Sequence, residues 1–298
     1  MGATLRELEY FVAIADRRHF GKAAEAVRVS QPTLSMQFKK LEDRLGGTLI
    51  ERLPREAILT PLGAEVLPLA RQILQLSSEI AIRCGDKTAH GRIRLGVIPT
   101  LAPYLLPKIN RDLSRVFQGR TIALLEAQTG ELLRLLREGL IDSAILSTPL
   151  SESGFEQEEL FSEPFYLAVS RSHPLSKHKK VSLDQLSSEP LLLLKEGHCL
   201  RAQALAICKR TEVVEEPDLS ATSIETLRSM VGMGAGMTLI PKLAIRKGDG
   251  ISYLSITDGS PERRIGLVYR PSFSDYEFVR SLSGILRDAA IRNGMEVI

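Results

Sequence analysis

Cys199 and Cys208, which lie nine residues apart, are the residues best suited to do chemistry in this chain. Residues 200–209 have apolar side chains at helical spacing, so Cys199 would lie at the N-terminus of a short helix. Unpaired backbone N–H groups there, with His198 and Arg201 close by, favour an ionised thiol. A thiolate reacts with oxidants and gives a sulfenic acid first. We therefore expect Cys199 to be the reactive thiol and Cys208, on the apolar face, to be its resolving partner.

A helix between the two cysteines would hold their sulfur atoms apart. Nine residues of α-helix turn through about 900° and rise by about 13 Å, whereas a disulfide requires Cα atoms roughly 4.4–6.8 Å apart. Joining Cys199 to Cys208 would therefore require the helix to unravel, and oxidation would be coupled to a conformational change. Taken alone, the pair also fits two unrelated thiols, one of them buried as a small hydrophobic residue.

Composition is that of a soluble globular protein with more than one domain. The chain has 298 residues, of which 44% are hydrophobic and 25% charged, and this length is enough for two or three domains. Its N-terminus lacks a secretory pattern and its sequence lacks a long apolar run, so we expect a cytoplasmic protein without a membrane segment. Three cysteines in a reducing compartment argue against a disulfide framework, and the spacing of His and Cys predicts no metal or other cofactor.

The first 60 residues have the pattern of a winged helix-turn-helix domain. Thr4 and Glu7 form a capping box, small apolar residues mark a second helix near residues 20–27, and Ser30 caps a third. The net charge from Arg17 to Lys40 is +5, because this segment contains six basic residues and one acidic residue. A basic helix-turn-helix domain is typical of DNA binding through the third helix.

Side chains on that third helix suit base edges and phosphates. Two short strands, near 49–51 and 57–59, would form a wing that reaches phosphate or the minor groove. The predicted DNA contacts are Arg18, Ser30, Gln31, Pro32, Thr33, Ser35, Gln37, Lys39, Arg52 and Arg55.

Residues 61–90 are predicted to form a linker helix followed by a hinge. Thr60 caps this helix, and its apolar residues recur at alternating intervals of three and four, which is the coiled-coil pattern. The stripe is predicted to pair two chains, although packing within one chain is the alternative. Its members are Leu59, Leu62, Val66, Leu69, Ile73, Leu76 and Ile80.

Residues 91–298 are predicted to form an α/β regulatory domain. Its first part, residues 92–148, alternates strands with helices in the order βαβαβ, which predicts a mostly parallel sheet with helices on both faces. Two lobes are expected, the first over about 91–162 and 268–298 and the second over about 163–267. Ligands of such sheets bind beyond the carboxyl ends of strands. Thr100, Thr129 and Arg270 end predicted strands and are therefore candidate ligand contacts.

The N-terminal motif FGKAAEAVRVSQPTLSMQFKKLEDRLGGTLIER, followed by LTPLG, resembles the signature of LysR-type transcriptional regulators. The segments EGHCLRAQALAIC, ATSIETLRSMVGMGAGMTLIP and GLVYRP resemble the peroxide-sensing OxyR branch of that family. The resemblance implies a regulatory domain like a periplasmic binding protein and a tetramer. It also implies that Cys199 reacts with peroxide and forms a disulfide with Cys208. The residues implied around the peroxide are Thr100, Thr129, His198 and Arg270, with Arg228 near the thiol.

The resulting prediction is a hydrogen-peroxide-sensing transcription regulator of oxidative-stress genes, not an enzyme. Its expected partners are double-stranded DNA, hydrogen peroxide, further copies of the chain, RNA polymerase and thiol-disulfide reductants. One alternative is a LysR-type regulator that binds a small metabolite between the lobes, with the cysteines as bystanders. Another is a thiol peroxidase, which does not explain the helix-turn-helix domain.

Overall fold

The computed structural model describes residues 2–53, 56–83, 92–186, 190–208, 214–257 and 259–298. The chain forms two compact units that divide between Gly91 and Arg92, except that a short segment, Arg137–Leu140, groups with the first unit. Within the described ranges, no helix has the length and apolar character needed to cross a membrane.

The first unit is a winged helix-turn-helix domain continued by a long helix, as predicted. Its elements are α1 (Leu5–Arg17), α2 (Phe20–Ala26), α3 (Gln31–Leu45), β1 (Ile50–Arg52), β2 (Ala57–Leu59) and α4 (Pro61–Arg83). The Thr4 and Glu7 capping box starts α1, and the Ser30 side chain caps α3 by accepting from the Thr33 N–H. Phe11 and Phe38 are fully buried between these helices.

One face of α4 packs on this domain and another face is exposed. Leu67 and Ala70 are buried in the core of the first unit. The heptad stripe points elsewhere: Leu69 is 58% exposed and Ile80 is 65% exposed. Apart from Leu59 and Val66, which pack against that core, the residues of the stripe are exposed in this chain.

The first lobe of the second unit has the predicted alternation of strands and helices. Its elements are β3 (Ile93–Val97), α5 (Ala102–Val116), β4 (Ile122–Glu126), α6 (Thr129–Arg137) and β5 (Ser143–Thr148). β3 lies between β4 and β5 and is parallel to both. The carboxyl ends of the three strands therefore meet at one edge of the sheet, which we call the carboxyl edge.

The second lobe contains the cysteine helix. After the long strand β6 (Glu156–Ser170) its elements are β7 (Lys180–Val181), β8 (Pro190–Leu194), α7 (Cys199–Cys208), β9 (Val214–Ala221), α8 (Ile224–Gly232), β10 (Thr238–Pro241) and β11 (Ile251–Ile256). β8 and β9 form a parallel pair. The chain then returns through β12 (Glu262–Tyr269) and ends with α9 (Tyr276–Arg292) and β13 (Glu296–Val297).

Two strands carry the chain between the lobes. β12 is antiparallel both to β5 and to the first half of β6, whereas residues 165–170 of β6 pair with β10 and β11. The predicted parallel order is found in β3, β4 and β5, and the returning strand β12 joins this sheet antiparallel to β5. β12 pairs with β5 from Arg264 onward, so the return begins earlier than residue 268.

Candidate functional site

The helix α7 has one cysteine at each end. Cys199 is half-buried and Cys208 is buried, and neither is part of a disulfide. Leu200, Ala204 and Cys208 lie in the core of the second lobe, and this burial raises the pKa of the Cys208 thiol. An intact helix of this length separates the two Cα atoms by about 13 Å. Cys199 is therefore the more accessible thiol, and α7 keeps it away from Cys208.

The turn before α7 packs against the first lobe. Gly197 has φ = +90°, a conformation that L side chains rarely adopt. A Cβ atom at Gly197 would also collide with the Gln128 side chain, which lies immediately before Thr129. The residues that lead into Cys199 are thus held close to the end of β4.

α7 itself contacts the carboxyl edge of the first-lobe sheet. Gln203 Nε2 donates a 2.7 Å hydrogen bond to Ser147 Oγ at the end of β5. Thr100 follows β3 and Thr129 begins α6 after β4, so both predicted threonines lie along this edge. The cysteine helix of one lobe therefore lies over the strand ends of the other.

Several buried polar atoms in this region lack a hydrogen-bond partner among the described residues. They are Thr129 Oγ1, Thr148 Oγ1, His198 Nδ1 and Gln203 Oε1. Buried polar atoms are nearly always paired in proteins, so a group of them is suited to a small ligand that both donates and accepts hydrogen bonds. Burial lowers the pKa of His198, which favours the neutral imidazole over the positive form expected from the sequence.

A buried arginine that the sequence reasoning missed contacts this edge. Arg263, at the start of β12, is 2% exposed. Its Nη1 donates to Thr100 Oγ1 at 2.9 Å, and its Nη2 donates to Thr100 O at 3.2 Å. Arg263 also forms an ion pair with Glu163 on β6. The cation beside Thr100 is thus Arg263.

Arg270 lies at the opposite edge of the sheet, which contradicts its predicted place around the peroxide. β12 is antiparallel to β5, with Arg264 opposite Thr148 and Tyr269 opposite Ser143. Seven residues of strand separate Arg270 from Arg263, or about 24 Å. The Arg270 guanidinium donates to the Leu136 and Ile141 carbonyl oxygens, both at 2.6 Å.

Arg228 makes its hydrogen bonds and ion pairs with residues of the second lobe. It is buried on α8, where it donates to the Ala244 carbonyl oxygen and forms ion pairs with Asp249 (3.3 Å) and Glu225 (3.7 Å). None of these contacts within the described part of the chain involves α7. Arg228 therefore joins α8 to the segment before β11, and its place near the thiol stays a prediction.

The predicted DNA contacts lie on and around α3. Gln31, Pro32, Thr33 and Lys39 are exposed, and Gln37 and Ser35 are half-buried. Ser30 is used as the cap of α3, with its Oγ 2.7 Å from Thr33 Oγ1. Arg18 follows α1 as its C-cap and pairs with Glu56 beside the wing. Arg55 and Cys84 lie outside the described residues.

Arg52 is turned back onto the helices. It donates to Ser35 Oγ at 2.6 Å, and its guanidinium carbon lies 4.2 Å from the centre of the Phe20 ring. A cavity of about 640 Å³ opens beside it, lined by Pro32, Ser35, Met36, Lys39, Glu42, Thr48, Ile50 and Arg52. Arg52 is thus placed beside the recognition helix, next to Ser35 and Lys39.

Known proteins resemble this chain across both of its units. The chain is 43% identical over 273 residues to a hydrogen peroxide-inducible genes activator of Pectobacterium carotovorum subsp. carotovorum, and the alignment covers 90% of each protein. The chain is also similar to the structure of full-length OxyR of Pseudomonas aeruginosa, in which aspartate replaces a cysteine. The two are 33% identical and superpose with a TM-score of 0.82, and the alignment covers 96% of this chain and 95% of the P. aeruginosa chain. A third similar protein is a cysteine-to-serine mutant of Corynebacterium glutamicum OxyR with hydrogen peroxide bound. It is 34% identical with a TM-score of 0.65, and the alignment covers 97% of this chain and 95% of the C. glutamicum chain.

Two family models match adjacent parts of the sequence. Residues 5–64 match the bacterial regulatory helix-turn-helix protein of the lysR family, and residues 86–290 match the LysR substrate binding domain. The chain therefore belongs to the LysR family of bacterial helix-turn-helix regulators.

Proposed function

We propose that this protein is a DNA-binding transcription regulator that hydrogen peroxide switches through a reversible Cys199–Cys208 disulfide. The observation that carries the proposal is the position of α7, which holds a cysteine at each end and lies over the carboxyl edge of the first lobe. Oxidation of one end can thus change both the helix and the lobe contact. The peroxide-inducible function of its relatives supports the same conclusion.

The first chemical step is the oxidation of Cys199. The thiolate sulfur attacks one peroxide oxygen, the O–O bond breaks, and the leaving hydroxide takes a proton to become water, so that Cys199 becomes a sulfenic acid. Arg263 and the Thr100 hydroxyl are suited to stabilise the negative charge that develops on the leaving oxygen. In the second step the Cys208 sulfur displaces the hydroxyl of the sulfenic acid, which leaves as a second water molecule.

The second step requires α7 to lose its helical structure. Leu200 and Ala204 must leave the core of the second lobe, and re-exposing a leucine alone costs about 1.5–3 kcal/mol. Gln203 must also release Ser147. The sulfur–sulfur bond offsets these losses, and thiol-disulfide reductants would reverse the change.

The DNA-binding domain converts this change into regulation. Its exposed α3 side chains are suited to the major groove, while Lys39 and Arg52 are suited to phosphates. A regulator of this kind acts with the DNA in the cytoplasm, and RNA polymerase is the expected target of activation. The alternative function is a LysR-type regulator that binds a small metabolite between the lobes, with the cysteines as bystanders.

The exposed stripe of α4 supports a dimer. Leu59 and Val66 are half-buried, and the other members of the stripe are 41–65% exposed in a single chain. An apolar seam of this kind pairs two helices.

A second contact between chains is available at β4. This strand lies at the edge of the sheet, and its Leu124 and Leu125 are 48% and 40% exposed. Exposed apolar edge strands favour pairing with another chain, so two different contacts would assemble a tetramer.

Replacing Leu69 by glutamate should separate the helices of the α4 pair. Two carboxylates would face each other in an apolar seam, where like charges are strongly unfavourable. We expect the assembled mass in sedimentation equilibrium to fall by half and binding to a DNA with two half-sites to weaken. Ser78→Glu adds the same charge at an exposed position outside the stripe and should leave both unchanged. An unaltered mass for Leu69→Glu would contradict pairing through α4.

Transcription in vitro tests the function itself. The template is a promoter that the reduced protein protects in a footprinting assay. Adding peroxide should change the level of transcription from this promoter, and dithiothreitol should then restore the original level. A response that requires a small metabolite, with peroxide having no effect, would favour the alternative.

A further inference from the structure

A buried ion pair joins the two strands that cross between the lobes. Glu163 on β6 lies directly opposite Arg263 on β12, and both side chains are fully buried. Glu163 Oε2 lies 2.9 Å from Arg263 Nε and 2.8 Å from Nη2. Immediately after Pro164, β6 begins to pair with the second-lobe strands. The ion pair therefore lies where the chain passes from one lobe to the other.

The second oxygen of the Glu163 carboxylate is also engaged. Glu163 Oε1 accepts a 2.7 Å hydrogen bond from the Leu243 N–H, which belongs to a 3-10 helix of the second lobe, Lys242–Ala244. Charge-assisted hydrogen bonds of this length are among the stronger contacts in proteins. A carboxylate held at both oxygens is a fixed acceptor, so Glu163 has little freedom to turn.

A fixed Glu163 determines the orientation of the Arg263 guanidinium. A guanidinium has five N–H groups. The Nε–H donates to Glu163 Oε2, and Nη2 lies 2.8 Å from the same oxygen in the ion pair. Nη1 donates to Thr100 Oγ1, and Nη2 donates to Thr100 O. Within the described part of the chain Nη1 makes one hydrogen bond, so its second hydrogen is left for a ligand. Because Thr100 Oγ1 accepts from Arg263, its own hydrogen is also available to donate.

We propose that Glu163 is a positioning residue for the peroxide reaction. Its carboxylate orients Arg263 so that the remaining Nη1 hydrogen and the Thr100 hydroxyl hydrogen point at the peroxide oxygen that leaves. This inference rests on the proposed function, in which Cys199 donates the electron pair that breaks the O–O bond. Donors aimed at the developing charge contribute strongly to such a step, and small errors in their placement are costly.

The test compares two reactions of Cys199 in the reduced full-length protein. In Glu163→Gln, the amide NH2 would face either Arg263 or the Leu243 N–H, so one of the two contacts is lost and the charge that fixes the guanidinium is removed. We expect the second-order rate constant with hydrogen peroxide to fall at least tenfold. The rate of alkylation by iodoacetamide, which needs the thiol but not donors to a leaving hydroxide, should change less than threefold.

Two further variants separate positioning from general damage. Glu163→Asp keeps the charge inside the fold but withdraws the carboxylate by one methylene, so it should recover part of the peroxide rate. Glu159→Gln removes an exposed ion pair with Arg264 between the same two strands and should leave both rates unchanged.

Wild-type peroxide rates in Glu163→Gln or Glu163→Asp would overturn the inference. An equal loss of peroxide and iodoacetamide reactivity would also overturn it, because it would show a general effect on the thiol. Failure of the proposed function is distinguishable, since the wild-type protein would then show no peroxide-dependent oxidation of Cys199.

Discussion

Replacing Cys199 by serine should leave a protein that binds its DNA sites but no longer responds to peroxide. The serine hydroxyl is close in size to the thiol and Cys199 is half-buried, so the fold and the separate DNA-binding unit should be preserved. A hydroxyl does not form the sulfenic acid on which the disulfide depends. Cys208 cannot replace Cys199, because it is buried and its pKa is raised by that burial. Transcription after peroxide should equal that of the untreated protein.

Two further cysteine variants serve as controls for Cys199→Ser. Cys84→Ser should respond to peroxide like the wild type, since the proposed mechanism does not use Cys84. Cys208→Ser should still form a sulfenic acid at Cys199, detectable with a dimedone probe, but should form no disulfide between residues 199 and 208. A full peroxide response in Cys199→Ser would contradict the assignment of the reactive thiol.

Replacing Gly197 by alanine should release the start of α7 in the reduced protein. At φ = +90° an L side chain is strained by about 1–3 kcal/mol. The added Cβ would also displace Gln128, although that exposed side chain can move aside at low cost. A destabilisation of this size increases the population of the opened helix by about 5- to 150-fold. Disulfide formation should then become faster, because opening precedes the second step.

Hydrogen exchange measures this opening directly. Peptides from residues 199–208 of reduced Gly197→Ala should exchange faster than those of the wild type. Gly130→Ala is the control, since Gly130 is not in the left-handed region and a Cβ there meets no neighbour within 4 Å. Unchanged exchange in α7 of Gly197→Ala would show that the turn does not hold the helix in place.

Local sequence patterns were sufficient to predict the helices that matter here. The Thr4 and Glu7 capping box and the Ser30 cap depend on residues three apart, so they can be read without knowledge of the fold. The apolar spacing after Cys199 also predicted α7, whose observed bounds are Cys199–Cys208. The family model matches agree with the resemblance found in the motifs.

The arginine of the site could not be predicted correctly because it depends on strand direction. The prediction for Arg270 assumed that the returning strand ends at the same edge as β3 and β4, whereas β12 is antiparallel to β5. This direction brings the start of β12, and therefore Arg263, to the edge where Thr100 lies. One signal was present: Arg263 alternates with Ile265 and Leu267, which places an arginine on the buried face of a strand.

Burial and cross-strand pairing account for the other differences. The sequence shows His198 next to Cys199, but only the fold shows the burial that lowers the pKa of His198 and so disfavours its charged form. Arg52 was expected to extend from the wing, yet Phe20 and Ser35 provide a closer site for its guanidinium. The partner of Arg263 is 100 residues away at Glu163, and only the register of β6 with β12 identifies it.

Peptide mapping under non-reducing conditions, after a brief exposure to peroxide, tests the central claim most directly. One cross-linked pair is predicted, which joins the peptide that contains Cys199 to the peptide that contains Cys208 and disappears after reduction. Recovery of both cysteines as unmodified thiols, or a cross-link from either of them to Cys84, would contradict the proposed switch.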